Sequence, residues 1–216
     1  MGEAARLLGL HVRTLRNWLE GYSARGKSYR PVLREISTGS ELLTWGEFVE
    51  AGYLSEYRRV QRIPLPKIRE YIETWRQRLG VPYPLAHQRP YSGPRPDLMD
   101  SAETKGGEAI MYRFSDGQLT MTPWAREFFH KIDFEQEIAQ RLWPDGKNQL
   151  VVIDPRRAFG TPTVGGVRTE VLYELFVAGD PVDEIASDYD LERRDIEAAI
   201  RFESPRPKTD PSVSAA

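Results

Sequence analysis

The chain of 216 residues contains no cysteine and three histidines, at 11, 87 and 130. The missing thiols exclude a disulfide framework, a cysteine zinc site and a thiol nucleophile. The histidines are too scattered for a His-rich metal centre. Long apolar runs are also missing: the longest aliphatic stretch is Leu150-Val151-Val152-Ile153, far short of a bilayer span. The N-terminal MGEAARLLGL has an acid at position 3 and no basic-then-apolar leader, so a soluble cytoplasmic protein is expected. Aspartate is absent from the first 80 residues.

Charge of one sign is scarce locally although the total is near zero. Residues 1–80 hold 14 basic and 9 acidic side chains, whereas residues 151–203 hold 6 basic and 12 acidic. A basic first third and an acidic last third imply two surfaces with different partners, the first a polyanion.

Sequence periodicity predicts a mainly α protein. Ala4, Ala5, Leu7 and Leu8 mark one short helix and Leu15, Trp18 and Leu19 the stripe of a second, with Gly9 at the turn between them. The spacing Ala5, Gly9, Leu15 is that of a helix-turn-helix. His11, Arg13, Thr14, Arg16 and Asn17 then fall on the opposite face, suited to phosphates and base edges. Residues 21–40 read as a β wing around Arg30-Pro31-Val32-Leu33, tipped by Arg25 and Lys27. Arg30 completes the candidate DNA contacts. A third helix over about 45–60 turns Phe48, Val49, Gly52 and Tyr53 inward. A fourth carries Ile68, Tyr71, Ile72, Trp75 and Leu79.

Residues 81–107 contain five prolines and read as a loose linker. A small α+β middle over 108–149 is expected, with a hairpin (110–114 and 118–122) and helices over 124–132 and 134–142. Residues 150–153 form a strand. The stretch Gly160–Val167 is glycine-rich but lacks the Lys-Ser/Thr of a phosphate loop, so it is read as a tight loop. A compact acidic domain over 150–203 follows, with three helices at 169–178, 181–188 and 192–203 in helix-turn-helix spacing. Its acids oppose DNA docking and favour a protein partner. Residues 204–216 read as a disordered tail.

Two segments carry a resemblance. Residues 2–79, through EAARLLGLHVRTLRNW and the later IREYIETW, resemble the MerR-like winged helix-turn-helix. Residues 150–203, through VVIDPRRAFGTPTVGGVRTEVLYELFVAGDPVDEIASDYDLERRDIEAAI, resemble a domain of unknown function found in antitoxins. Together they resemble a VapB-type antitoxin. That resemblance implies a PIN-domain ribonuclease as toxin partner, operator DNA as a second ligand, and a homodimer within a larger toxin–antitoxin complex. Candidate toxin contacts are Asp183, Glu184, Asp188 and Asp195 on the acidic face and Arg206 and Lys208 in the tail. The family usually has a few more residues before its Glu-Ala-Ala helix, so the natural start is expected upstream of Met1. No nucleophile–base pair or metal-ligand spacing emerges, so no enzyme activity, metal or cofactor is expected. Two rival readings are a free-standing MerR-like regulator with a ligand-sensing C-terminal domain and a protein–protein adaptor.

Overall fold

The computed structural model describes residues 1–59, 64–87 and 123–205. The hairpin expected over 110–122, most of the expected linker and the tail with Arg206 and Lys208 lie outside the described residues. The chain divides into two compact units, Met1–Leu142 and Trp143–Ala216. Among the described residues, no helix is long and apolar enough to cross a membrane.

The first unit opens with α1 (Gly2–Leu7) and α2 (Val12–Glu20). The His11 ring caps α2 by accepting the Arg13 N–H at 3.2 Å. Leu15, Trp18 and Leu19 are buried, as their spacing predicts. Gly21 ends the helix at φ 76°, where a Cβ would collide with the backbone of Tyr29 and Arg30. The chain then forms β1 (Tyr22–Ala24) and β2 (Lys27–Tyr29), antiparallel with Ala24 opposite Lys27. Arg25 and Gly26 both have positive φ, the turn geometry that matches strand twist in a two-residue hairpin.

This hairpin lies within the 21–40 stretch expected to form a wing, with Arg25 at its turn and Lys27 beside it, but the extended piece expected at its centre differs. Arg30–Leu33 is not a strand. Val32 and Leu33 are buried, and their N–H groups both reach the Trp18 carbonyl, at 2.8 and 3.0 Å. Two arginines of α4 (Leu65–Leu79) satisfy the carbonyls of the same segment. Arg69 donates to Arg30 and Pro31, and Arg76 donates to Leu33 and Pro82.

In α3 (Trp45–Arg59), Phe48, Val49, Gly52 and Tyr53 are all buried. In α4, Ile68, Tyr71 and Ile72 are buried, while Trp75 and Leu79 are half-buried. The start of the expected linker is packed rather than loose: a 3-10 turn, Pro84–Ala86, is buried, and the Leu85 N–H donates to Glu50 at 3.0 Å. Helix α5 (Pro123–His130) follows, and Phe128 stands edge-on to Tyr53 with ring centroids 4.9 Å apart.

No helix occupies 134–142. That segment belongs to a hairpin, β3 (Ile132–Glu135) with β4 (Ile138–Leu142), turning at Gln136 and Glu137 with φ of 49° and 67°. Burial of Ile132, Ala139 and Leu142 outweighs the helical propensity of the stretch. Trp45 Nε1 donates to the Ala139 carbonyl at 2.8 Å and fixes the hairpin.

In the second unit, β5 (Val152–Ile153) pairs with β6 (Pro162–Val164), which pairs with β7 (Val167–Arg168). The glycine-rich stretch is thus part of a ladder, with Gly165 and Gly166 supplying positive φ at its turn. The three helices fall where expected, as α6 (Thr169–Ala178), α7 (Val182–Asp188) and α8 (Arg193–Glu203). Val164, Leu172, Ile185, Ala186, Ile196 and Ala199 form the core. Each large side chain there contributes about 1.5–3 kcal/mol relative to exposure.

Candidate nucleic-acid interface

Helix α2 and the β1–β2 hairpin carry the candidate cations of the first unit. With Leu15, Trp18 and Leu19 turned inward, the 3.6-residue period leaves Arg13 and Arg16 exposed. Thr14 and Asn17 are half-buried, and the Asn17 carbonyl accepts the Gly21 N–H at 3.0 Å. His11 is exposed, but one ring nitrogen already caps the helix. Arg16 forms a hydrogen-bonded ion pair with Glu41, which approaches from the loop before α3. A lone exposed pair of this kind contributes little to stability, so it yields readily to a competing anion.

In and just after the β1–β2 hairpin, Arg25, Lys27 and Arg30 are exposed, as is every residue of β1 and β2. Tyr22 and Tyr29 stack across the hairpin with centroids 4.6 Å apart. A two-stranded ribbon is marginal alone, and this aromatic pair supports it. The Arg69 bonds to Arg30 and Pro31 anchor its base. Among the sequence candidates, the α2 cations and those of the hairpin therefore sit on two anchored elements joined at Gly21.

Sequence reasoning missed what anchors them. Arg34 is buried and fans its guanidinium onto Glu20 at the end of α2, Glu47 in the first turn of α3, Thr38, and the carbonyls of Ser40 and Leu42. Glu20 also accepts from the Ser37 hydroxyl and the Gly39 N–H. Burial alone would raise the Glu20 pKa, but these hydrogen bonds and the Arg34 charge hold it below the ordinary carboxylate value. The Arg34 pKa is raised, first by its hydrogen bond to Glu47, against the opposing effect of burial. The network ties the end of α2 to α3. Its partners stand 13 and 14 positions from Arg34, a separation with no helical or strand period to reveal it.

The acidic face of the second unit is less open than its composition implies. Arg193 Nη1 lies 2.8 Å from both carboxylate oxygens of Asp183, and its Nε lies 2.9 Å from Glu197. Arg194 pairs with Glu192 at 2.9 Å. Asp195 accepts the Glu192 N–H at 3.0 Å and completes a capping box at the start of α8. Asp183 and Asp195 thus already serve the fold, whereas Glu184 and Asp188 remain exposed. Among the described residues, no group of three or more histidines and acids is placed to hold a metal ion.

Residues 151–202 match a family described as "Protein of unknown function (DUF433)". Across 213 residues, 93% of this chain and 87% of the relative, the sequence is 31% identical to "Uncharacterized protein Rv2308" of Mycobacterium tuberculosis. It is also 26% identical over 221 residues, 88% of this chain and 86% of the relative, to "Putative antitoxin VapB45" of the same organism. The fold matches the crystal structure of Rv2018 from M. tuberculosis with a TM-score of 0.61 at 24% identity, covering 92% of this chain and 95% of that one.

Proposed function

The chain belongs to the family of M. tuberculosis Rv2308, and from that premise we propose that it is the antitoxin of a type II toxin–antitoxin pair. In this reading it binds and inhibits a PIN-domain, VapC-like ribonuclease encoded beside it and represses their shared operon. The observation that carries the reading is the likeness to VapB45, which runs through both units and not through one of them.

The geometry supports a division of labour. The first unit would act as a MerR-like winged helix-turn-helix, with α2 in the major groove and the wing on the backbone. Arg13 and Arg16 would read base edges, and Arg25, Lys27 and Arg30 would meet phosphates. The acidic second unit would meet the ribonuclease, with Glu184 and Asp188 as its open carboxylates. The protein itself would act in the cytoplasm, without catalysis or a cofactor, as a homodimer within the toxin complex.

Coexpression with the neighbouring gene tests this directly. The expected result is a co-purifying complex whose RNase activity is restored when the antitoxin is degraded. The complex should also shift DNA from upstream of its own gene. A neighbour that neither binds this chain nor cleaves RNA would sink the antitoxin reading.

A further inference from the structure

Phe159 is fully exposed, and no other large apolar side chain in the described residues is as open. It sits in a loop, residues 154–160, that holds it in place. Asp154 is buried, and its carboxylate accepts the Arg156 N–H at 2.9 Å and the Arg156 guanidinium at 3.2 and 3.3 Å. The N–H of Arg157 donates to the Asp154 carbonyl, and that of Gly160 to the Arg157 carbonyl, each at 2.9 Å. Ala158 and Phe159 both adopt left-handed backbone, with φ of 45° and 55°. Such strain persists only where the surroundings over-determine it. Here it delivers an aromatic ring to water beside the exposed Arg157.

A second apolar surface lies open in the same unit. On the last turn of α6, Val177 is 65% exposed and Phe176 40%. Glu174 and Asp180 flank them as exposed carboxylates without an ion-pair partner among the described residues. The loop is apolar and cationic, while the α6 end is apolar and anionic. Of the unit's seven arginines, 156, 193 and 194 are held by carboxylates of the same chain. Arg157, like Arg168 and Arg201, has no ion-pair partner among the described residues, and it is the one that stands beside Phe159.

We propose that the loop carrying Arg157 and Phe159 docks on the end of α6 in a second copy of this chain, Phe159 against Phe176 and Val177 and Arg157 against Glu174 and Asp180. Each copy carries both surfaces, so a two-fold pairing makes the contact twice. An aromatic anchor with a charged rim is the usual composition of an interface centre. The pairing rests on the homodimer proposed above and gives it an interface, while needing nothing from the toxin because both surfaces belong to this chain.

Sedimentation equilibrium of the full chain should give twice the 24.8 kDa of one copy. Phe159→Ser should weaken association by about tenfold or more, with the circular dichroism spectrum unchanged. Arg157→Glu and Asp180→Lys should each weaken it, and the double variant should recover it. Because the chain has no cysteine, an oxidised mixture of R157C and D180C chains should yield a disulfide dimer that neither chain forms alone. A wild-type monomer, an unaltered mass for Phe159→Ser, or equal cross-linking of R157C with itself would overturn the proposal. So would a Phe159→Ser variant that still self-associates but loses affinity for the neighbouring ribonuclease.

Discussion

Arg34 grips Glu47 as a fork inside the first unit: Nε lies 2.8 Å from Oε1 and Nη2 3.2 Å from Oε2. Both side chains are buried, and Glu20 closes the other side of the guanidinium. Removing one partner of a buried ion pair strands the remaining charge, which costs about 3–5 kcal/mol. Arg34→Met is therefore expected to lower unfolding free energy by about that amount, read from the urea midpoint. Lysine cannot fork onto one carboxylate and reach a second, so Arg34→Lys should recover little of the loss. A change below about 1 kcal/mol for Arg34→Met would show that the network does not hold α2 to α3.

Glu50 gives the fold a pH dependence of its own. It is fully buried, one oxygen accepts the Leu85 N–H, and the other has no partner among the described residues. Burial pushes its carboxyl up to about 8 from an ordinary 4.5. The folded state thus keeps a proton that the unfolded chain has released. Its contribution to stability is whole below pH 4.5 and is lost as pH rises toward 8. Wild-type stability should fall relative to Glu50→Gln across that window, by about 1 kcal/mol per pH unit. Denaturant titrations of both proteins at pH 5, 6.5 and 8 would measure it, and parallel profiles would remove Glu50 as the cause.

The sequence was legible where burial follows a local period. Leu15, Trp18 and Leu19 mark α2, and the acidic trio α6, α7 and α8 keeps its expected bounds within a residue or so. It misled where two periods coincide. Phe134, Ile138 and Leu142 fall at i, i+4 and i+8 among good helix formers, yet Gln136 and Glu137 take positive φ without the glycine or asparagine that signals such a turn. The extended piece expected at Arg30–Leu33 failed for a related reason. Pro31, Val32 and Leu33 look extended, but Trp18 and the α4 arginines claim that backbone. The Arg34 network and the exposed ring of Phe159 depend on contacts between distant positions and on loop geometry, which no window of sequence contains.

Gly52 is buried in the middle of α3, where glycine weakens a helix. The reason for it is Phe128. A Cβ at position 52 would lie 2.7 and 2.8 Å from Cε1 and Cε2 of that ring. Gly52→Ala is expected to destabilise the first unit by about 1–3 kcal/mol through overpacking, despite the better helix propensity of alanine. Pairing it with Phe128→Leu, which makes room, should return part of the loss. A Gly52→Ala protein with an unchanged or higher melting temperature would mean that the ring moves aside freely.

If α2 reads DNA while the wing only grips it, two arginine variants should fail in different ways. Arg16 is exposed on α2 and, among the described residues, is held only by Glu41, so a guanine edge can take its guanidinium in place of that carboxylate. An arginine fork on guanine is worth about 1–3 kcal/mol of discrimination. Arg16→Ala should therefore weaken binding to DNA from upstream of the gene by that amount, and binding to scrambled DNA much less. Arg25 stands at the wing's turn, where a phosphate contact carries no base information. Arg25→Ala should weaken both DNAs alike and lower the slope of log affinity against log salt by about 1. Fluorescence anisotropy with both duplexes over a KCl series separates the two effects. Equal losses on both DNAs for Arg16→Ala would place α2 on the backbone and leave base reading to another element.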